Sequence, residues 1–188
     1  MPLNTFAYCT ASQRWAVTRA SGAEPLTSPP MTLDTFNPAL LEGRDLLYFA
    51  LHGLPDQPFW YGDDYLTAIS AQAFDGLSLR KTVVFVACCH FTDSPFLPAL
   101  QACSPRALIA GSGENFARTK TLVGPHLLGY YLRRTLAAGL PPRLALATAK
   151  YRLQVTNNRL KSHAKHQDTR LTEDIAANTD ALHFEVLS

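Results

Sequence analysis

Three short stretches of this 188-residue chain combine residue types that can do chemistry: His52-Gly53, Cys88-Cys89-His90 and Gly111-Ser112-Gly113-Glu114. A cysteine attacks through its thiolate, and with an ordinary pKa of ~8.5 only a few per cent is ionised at pH 7. It therefore needs a base or a cation beside it, and a histidine from an adjacent strand end supplies one. A glycine after that histidine lets the backbone approach a scissile carbonyl and donate an N–H to the oxyanion. Such a donor contributes roughly 3 kcal/mol in other enzymes. The combination points to nucleophilic acyl chemistry.

Each stretch follows a short apolar run. Residues 45–51 (DLLYFAL) lead into His52, residues 81–87 (KTVVFVA) into Cys88, and residues 106–110 (RALIA) into Gly111. The runs do not alternate, which marks strands buried on both faces of a parallel sheet. Ligands of open parallel sheets bind beyond the carboxyl ends of the strands, so neighbouring strands would put all three stretches on one rim. Helical stretches separate them. Residues 67–74 are short, and 94–102 open on a Ser-Pro pair suited to a helix N-terminus. Residues 122–138 place Leu127, Leu128, Tyr131, Leu132 and Leu136 at helical spacing. Gly139 and Pro141-Pro142 stop that helix, and 143–160 restart it with Leu144, Ala147 and Tyr151 on one face. Residues 161–180 are polar and predict a mobile loop or a solvated helix, and 183–187 (HFEVL) alternate as a terminal edge strand. Near the N-terminus a short strand is predicted at 15–17, followed by a Ser-, Gly- and Pro-rich loop at 21–30. Strands alternating with helices make the chain one α/β domain with a mainly parallel sheet.

Composition removes several function classes. With 47% hydrophobic and 17% charged residues, the chain is apolar enough for a real core and too apolar for wholesale disorder. Its net charge of +2 is low for a protein that neutralises many phosphates, so nucleic acid is not an expected partner. The longest apolar run, 83–89, is far shorter than the ~20 residues of a membrane helix. The chain opens without a basic and apolar leader. These features predict a cytoplasmic domain with no membrane contact. Of the four cysteines, 88 and 89 are adjacent and do not bridge each other, so in a reducing compartment each is core, ligand or reagent. No Cys-x-x-Cys or His-x-x-x-His pair supports a metal. Gly111-x-Gly113 meets Phe116 where a dinucleotide fingerprint needs glycine, and a phosphate loop is lacking. No metal and no other cofactor is expected.

The order of these motifs resembles that of the caspase-like cysteine peptidases, above all their bacterial CHAT-domain branch. A buried strand ending in His-Gly, then a second one ending in a small residue and cysteine, is that family's pattern. Here LLYFALHG precedes DDYLTAISAQAFDGLSL, and the second motif is VVFVACCHFT. RALIAGSG is similar to the family's Gly-ended strand, YYLRRTLAAGLPPRLALATAKYRL to its helix pair, and ALHFEVLS to its closing strand. The resemblance covers 46–187, with His52 and Cys89 standing 37 positions apart. It implies a three-layer α/β/α caspase-like fold with a mainly parallel central sheet. It also implies a cysteine endopeptidase that cleaves a protein substrate through a Cys-His dyad, without a cofactor. Control by a regulatory or sensor protein partner follows, in bacterial immunity such as antiviral defence or in programmed cell death. The chain departs from the pattern at Phe91-Thr92, where the family usually has a glycine after the cysteine. It also looks short at its N-terminus by a first strand and helix.

Aligned on the apolar run, the family's Ser-Ala-Cys falls on Ala87-Cys88-Cys89 and makes Cys89 the nucleophile. Aligned on the Ala-Cys pair alone, the nucleophile is Cys88. The resemblance gives His52 the work of base and acid, and gives the backbone N–H groups of Gly53 and Cys89 that of oxyanion donors. Many members hold a basic residue before the cut with acidic side chains. Asp63, Asp64 and Glu114 are the acids nearest the rim, and each can equally be a surface or capping residue. Phe59, Trp60 and Tyr61 line a substrate groove or pack against a partner. A strand-end cysteine is by default a small core residue, the reading kept for Cys88 and Cys103. Cys9 is uninformative, His163 and His166 read as solvated, and Arg133-Arg134 as a helix face. From another class comes a second reading of the whole chain: a catalytically inactive caspase-like interaction scaffold.

Overall fold

The computed structural model describes residues 2–163 and 169–187. In chain order its elements are β1 (Thr5–Thr10), α1 (Arg14–Ser21), β2 (Leu26–Ser28), β3 (Leu46–Ala50), β4 (His52–Gly53), β5 (Phe59–Tyr61), β6 (Thr67–Ser70), β7 (Val83–Val86), α2 (Phe96–Ala102), β8 (Ala107–Ala110), α3 (Gly124–Ala137), α4 (Pro142–His163), α5 (Thr169–Asp180) and β9 (Glu185–Val186). The central sheet has the order β2-β1-β3-β7-β8-β9. Every pair in it is parallel except β8 with β9, which closes the edge antiparallel.

The three unalternating runs are β3, β7 and β8, side by side, and every residue in them is buried. Both faces of the sheet are covered, so neither face needs polar residues. Leu47, Phe49, Val84, Val86 and Leu108 point into one core with Phe96 and Leu100 of α2. The small antiparallel sheet β4-β5-β6 covers the same face through Trp60 and Ile69. Tyr48, Val83, Phe85 and Ile109 point into the other core with Val17 of α1, Leu128 and Leu132 of α3, and Leu153 of α4. Right-handed crossovers explain the division. The chain steps one way along the sheet from β1 to β2 and the opposite way from β7 to β8, so α1 and α2 fall on opposite faces. The result is an α/β fold of three layers around a mainly parallel sheet.

Several local expectations are corrected. Residues 15–17 are helix, within α1, whose end is capped by Gly22 in the left-handed conformation (φ 72°). The strand lies earlier, in β1, where Thr5 and Thr10 flank a buried Phe-Ala-Tyr-Cys. A leading strand and helix are therefore present. The loop at 21–30 contains β2. Residues 67–74 form β6 and a single 3-10 turn instead of a helix, because Ile69 and Ser70 pair with β5. Trp60 neither lines a groove nor awaits a partner. It is buried and stacks on Phe96 with ring centroids 3.8 Å apart, while Phe59 and Tyr61 are half-buried. Of the polar stretch 161–180 the described residues are helical, in keeping with the solvated-helix alternative: 161–163 end α4 and 169–180 form α5, in which Ala177 and Asn178 are buried and Asn178 accepts a hydrogen bond from the Gly124 N–H at 2.8 Å. His166 and the side chain of His163 lie outside the described residues. No helix of the described residues is long and apolar enough to cross a membrane.

A buried histidine ties the layers together. His126, in the first turn of α3, lies 2.9 Å from the Tyr48 hydroxyl and 3.2 Å from Gln13 Oε1. Gln13 Oε1 only accepts, so Nε2 carries the proton and Nδ1 accepts from Tyr48. Burial pushes this imidazole down to about 4 from its ordinary 6.5. The folded state then binds the proton more weakly than the unfolded chain. Stability from this group is complete above pH 6.5 and drains away as the pH falls to 4. At ~1.4 kcal/mol per unit the loss is about 3 kcal/mol. Urea unfolding between pH 7 and pH 4 should show that decline, and His126→Gln, which does not titrate, should flatten it. Equal slopes in the two proteins would contradict the assignment.

Candidate active site

The chain leaves the central sheet at the end of β3. Leu51 turns it, and His52-Gly53 becomes β4, paired with Tyr61 and Trp60 of β5. Beside it, β7 ends and Ala87-Cys88-Cys89 follows, while Gly111 follows the end of β8. Backbone hydrogen bonds join these ends. The Ala87 N–H donates to Phe49 O at 2.8 Å, the His90 N–H to Gly113 O at 2.7 Å, and the Asp56 N–H to Asp93 O at 2.8 Å. Together they frame a cavity of about 370 Å³ lined by His52, Gly53, Leu54, Tyr65, Cys89, His90, Glu114, Asn115, Phe116 and Asp180. The three strand ends singled out in the sequence thus open on one cavity.

The tightest contact at this rim is between backbones. A side-chain carbon at Gly53 would overlap the carbonyl oxygen of Cys89, so only glycine lets β4 lie against the cysteine loop. Cys89 is half-buried. Its Sγ accepts from the Asn115 N–H at 3.2 Å, and the thiol faces Asn115 O at 3.9 Å. Burial raises the Cys89 pKa, the Asn115 amide pulls it back, the Glu114 carboxylate raises it again, and its own amide lowers it. The net effect keeps sulfur as thiol.

The other cysteines are buried. Cys88 sits fully in the α2-side core, its Sγ accepting from the Leu51 N–H at 3.3 Å, and burial holds its pKa well above the ordinary value. Burial pushes Cys9 up to about 12. Cys103 is raised by burial and by Asp75. Of the two adjacent cysteines, only Cys89 reaches the cavity.

His52 is half-buried, and its ring stacks on Tyr65 with centroids 5.5 Å apart. Tyr65 and His90 both line the cavity with positive φ, 55° and 50°. Such backbone is costly for residues with side chains. The three predicted acids separate. Glu114 lines the cavity. Asp63 does not: its carboxylate accepts from the Ser12 N–H at 2.7 Å and from Ser12 Oγ at 2.8 Å. It caps the turn after β1, the side of the rim where the strand order reverses and where open sheets commonly take ligands. Asp64 is exposed at φ 56° and outside the cavity lining. Asn115, Tyr65 and Asp180 were missed in the sequence. None belongs to a motif, and Asp180 comes in on α5, which was read as a mobile or solvated segment.

No protein-family model matches the chain, and no curated protein matches it in sequence. The arrangement has to be read from its chemistry: a half-buried thiol, an imidazole from the neighbouring strand end, and a glycine backbone pressed against the thiol's own residue. Gly53→Ala should cost about 1–3 kcal/mol through overpacking and should change the alkylation rate of Cys89. Thermal unfolding and thiol labelling of the variant measure both. A destabilised protein with unaltered Cys89 reactivity would contradict the contact's role at the site.

Proposed function

We propose that the chain is a caspase-like cysteine endopeptidase of the CHAT-domain kind, with Cys89 as nucleophile and His52 as its base and acid. The observation that carries this reading is the shared cavity: the half-buried cysteine lies with the His-Gly end of the adjacent parallel strand, while Cys9, Cys88 and Cys103 are buried. Cys89 Sγ attacks the peptide carbonyl carbon and gives its proton to His52. The backbone N–H groups of Gly53 and Cys89 hold the oxyanion. The carbon–nitrogen bond breaks as His52 returns the proton to the leaving amine. Water, deprotonated by His52, then attacks the thioester carbonyl; the carbon–sulfur bond breaks, the acid product leaves and His52 returns the proton to the Cys89 sulfur. No cofactor enters these steps.

In this scheme Glu114 receives a basic side chain before the cut, a role supported by its place in the cavity lining, which Asp180 shares. A thiol held above its ordinary pKa suits an enzyme that rests until a regulatory or sensor protein engages it. A role in bacterial immunity or programmed cell death is what the sequence resemblance implies, and a cytoplasmic setting is the expectation from composition. The same raised thiol also favours a second reading, a catalytically inactive caspase-like interaction scaffold. The burial of Phe91, where the family carries a glycine, points the same way.

Thiol alkylation separates the two. On the peptidase reading, iodoacetamide labels Cys89 far faster than Cys103, and His52→Ala slows the Cys89 reaction. Because the folded thiol titrates above its ordinary value, the rate should climb past pH 9 without a plateau below it. A peptide library should be cut by the wild type, slowly while no activating partner is present, and left intact by Cys89→Ala. Slow, equal labelling of all thiols, indifferent to His52, supports the scaffold.

A further inference from the structure

The segment after β8 contacts the sulfur of Cys89 directly. Asn115 meets the cysteine pair three times over, twice at Cys89 and once at Cys88. Its N–H donates to Sγ at 3.2 Å, and its carbonyl lies 3.9 Å from the same sulfur. Its side-chain Nδ2 donates to the Cys88 carbonyl at 2.9 Å. That carbonyl belongs to the peptide joining the two cysteines. One residue therefore grips the sulfur and the backbone that carries it. The backbone groups suit both protonation states, since the amide can donate to a thiolate and the carbonyl can accept from a thiol. Asn115 is held from the side as well: the His90–Gly113 backbone bond ties its segment to the cysteine loop.

We propose that Asn115 is the positioning residue for Cys89, its amide aiming the sulfur into the cavity while its side chain locks the Cys88–Cys89 peptide. The inference rests on Cys89 being the nucleophile of the proposed reaction. Asn115 does not touch the scissile bond in this scheme; it acts through the sulfur. The titratable groups that share the cavity with Cys89 are His52 on β4, Tyr65 before β6, His90 after β7, Glu114 after β8 and Asp180 at the end of α5. Glu114 and Asn115 are adjacent yet oppose each other at the sulfur, the carboxylate disfavouring a thiolate and the amide favouring it.

That opposition makes the test specific. The rate of Cys89 alkylation by iodoacetamide is followed against pH, site by site by mass spectrometry, in the full chain. Asn115→Ala frees the peptide and loosens the amide. It should move the midpoint upward and slow labelling about tenfold at a fixed pH below it, as for a lost bond to a charged group. Asn115→Leu, of similar size and uncharged but without the Nδ2 donor, should do the same and serves if the alanine variant unfolds. Glu114→Gln should move the midpoint downward. A purely structural Asn115 would lower thermal stability and leave the midpoint in place, and that result in a folded variant overturns the inference. The dyad reading fails separately. Labelling that depends on Asn115 but not on His52 leaves the positioning role standing and removes His52 as the base.

Discussion

The backbone of Gly53 lies against the carbonyl of Cys89 with no room for a side chain. This close approach governs the candidate site. It requires two adjacent parallel strands of matched length, and β3 and β7 are paired from Leu46 with Val83 to Phe49 with Val86. It requires β3 to leave the sheet at once, which happens as Leu51 turns into β4. It also requires something to hold β4 in place. That is β5, anchored by Trp60 stacked on Phe96 and surrounded by Phe49, Phe74 and Phe91. The aromatic core under the small sheet and the glycine at the rim are thus parts of one arrangement. Aromatic area deep in the molecule fixes where a histidine sits above it.

Burial creates the competing demand. A cysteine close to a core is a poor acid, because its anion loses water. The chain answers with geometry rather than with charge. Cys88 turns inward and is given up to packing, while Cys89, next along the chain, turns to the cavity and meets backbone amides. The Glu114 carboxylate works against ionisation. Neutralising that carboxylate would favour ionisation of the thiol. On the proposed reading this gives a route by which a partner or a substrate raises reactivity without altering the sheet.

The parts of this arrangement differ in how visible they are in the sequence. β3, β7 and β8 are plain there, since strands buried on both faces leave unbroken apolar runs with abrupt ends. Their ends name His52, Gly53 and Cys89. The Cys88–Cys89 ambiguity is not resolvable in one dimension, because residues next to each other at a strand end share composition and differ only in direction. β1 is hidden by its flanking threonines, and α1 by a short strand-like Trp-Ala-Val. β6 reads as helix because Thr-Ala-Ile-Ser carries no alternation; its state is decided by pairing with β5. Asp63 looks like a free acid near the rim until Ser12, 51 positions away, claims both of its oxygens. Asn115 has no sequence signal, since its importance lies in hydrogen bonds to the loop after another strand.

The central claim is that Cys89 and His52 act as one unit on a peptide carbonyl. A peptide acyloxymethyl ketone tests it most directly, because the warhead reacts only where a thiol is aimed at a bound carbonyl. After incubation with the full chain, the adduct is located by peptide mass spectrometry in the wild type and in His52→Ala. The account predicts a single adduct, on Cys89, that disappears in the variant. An adduct spread over several cysteines, or one on Cys89 that forms equally well without His52, would contradict it.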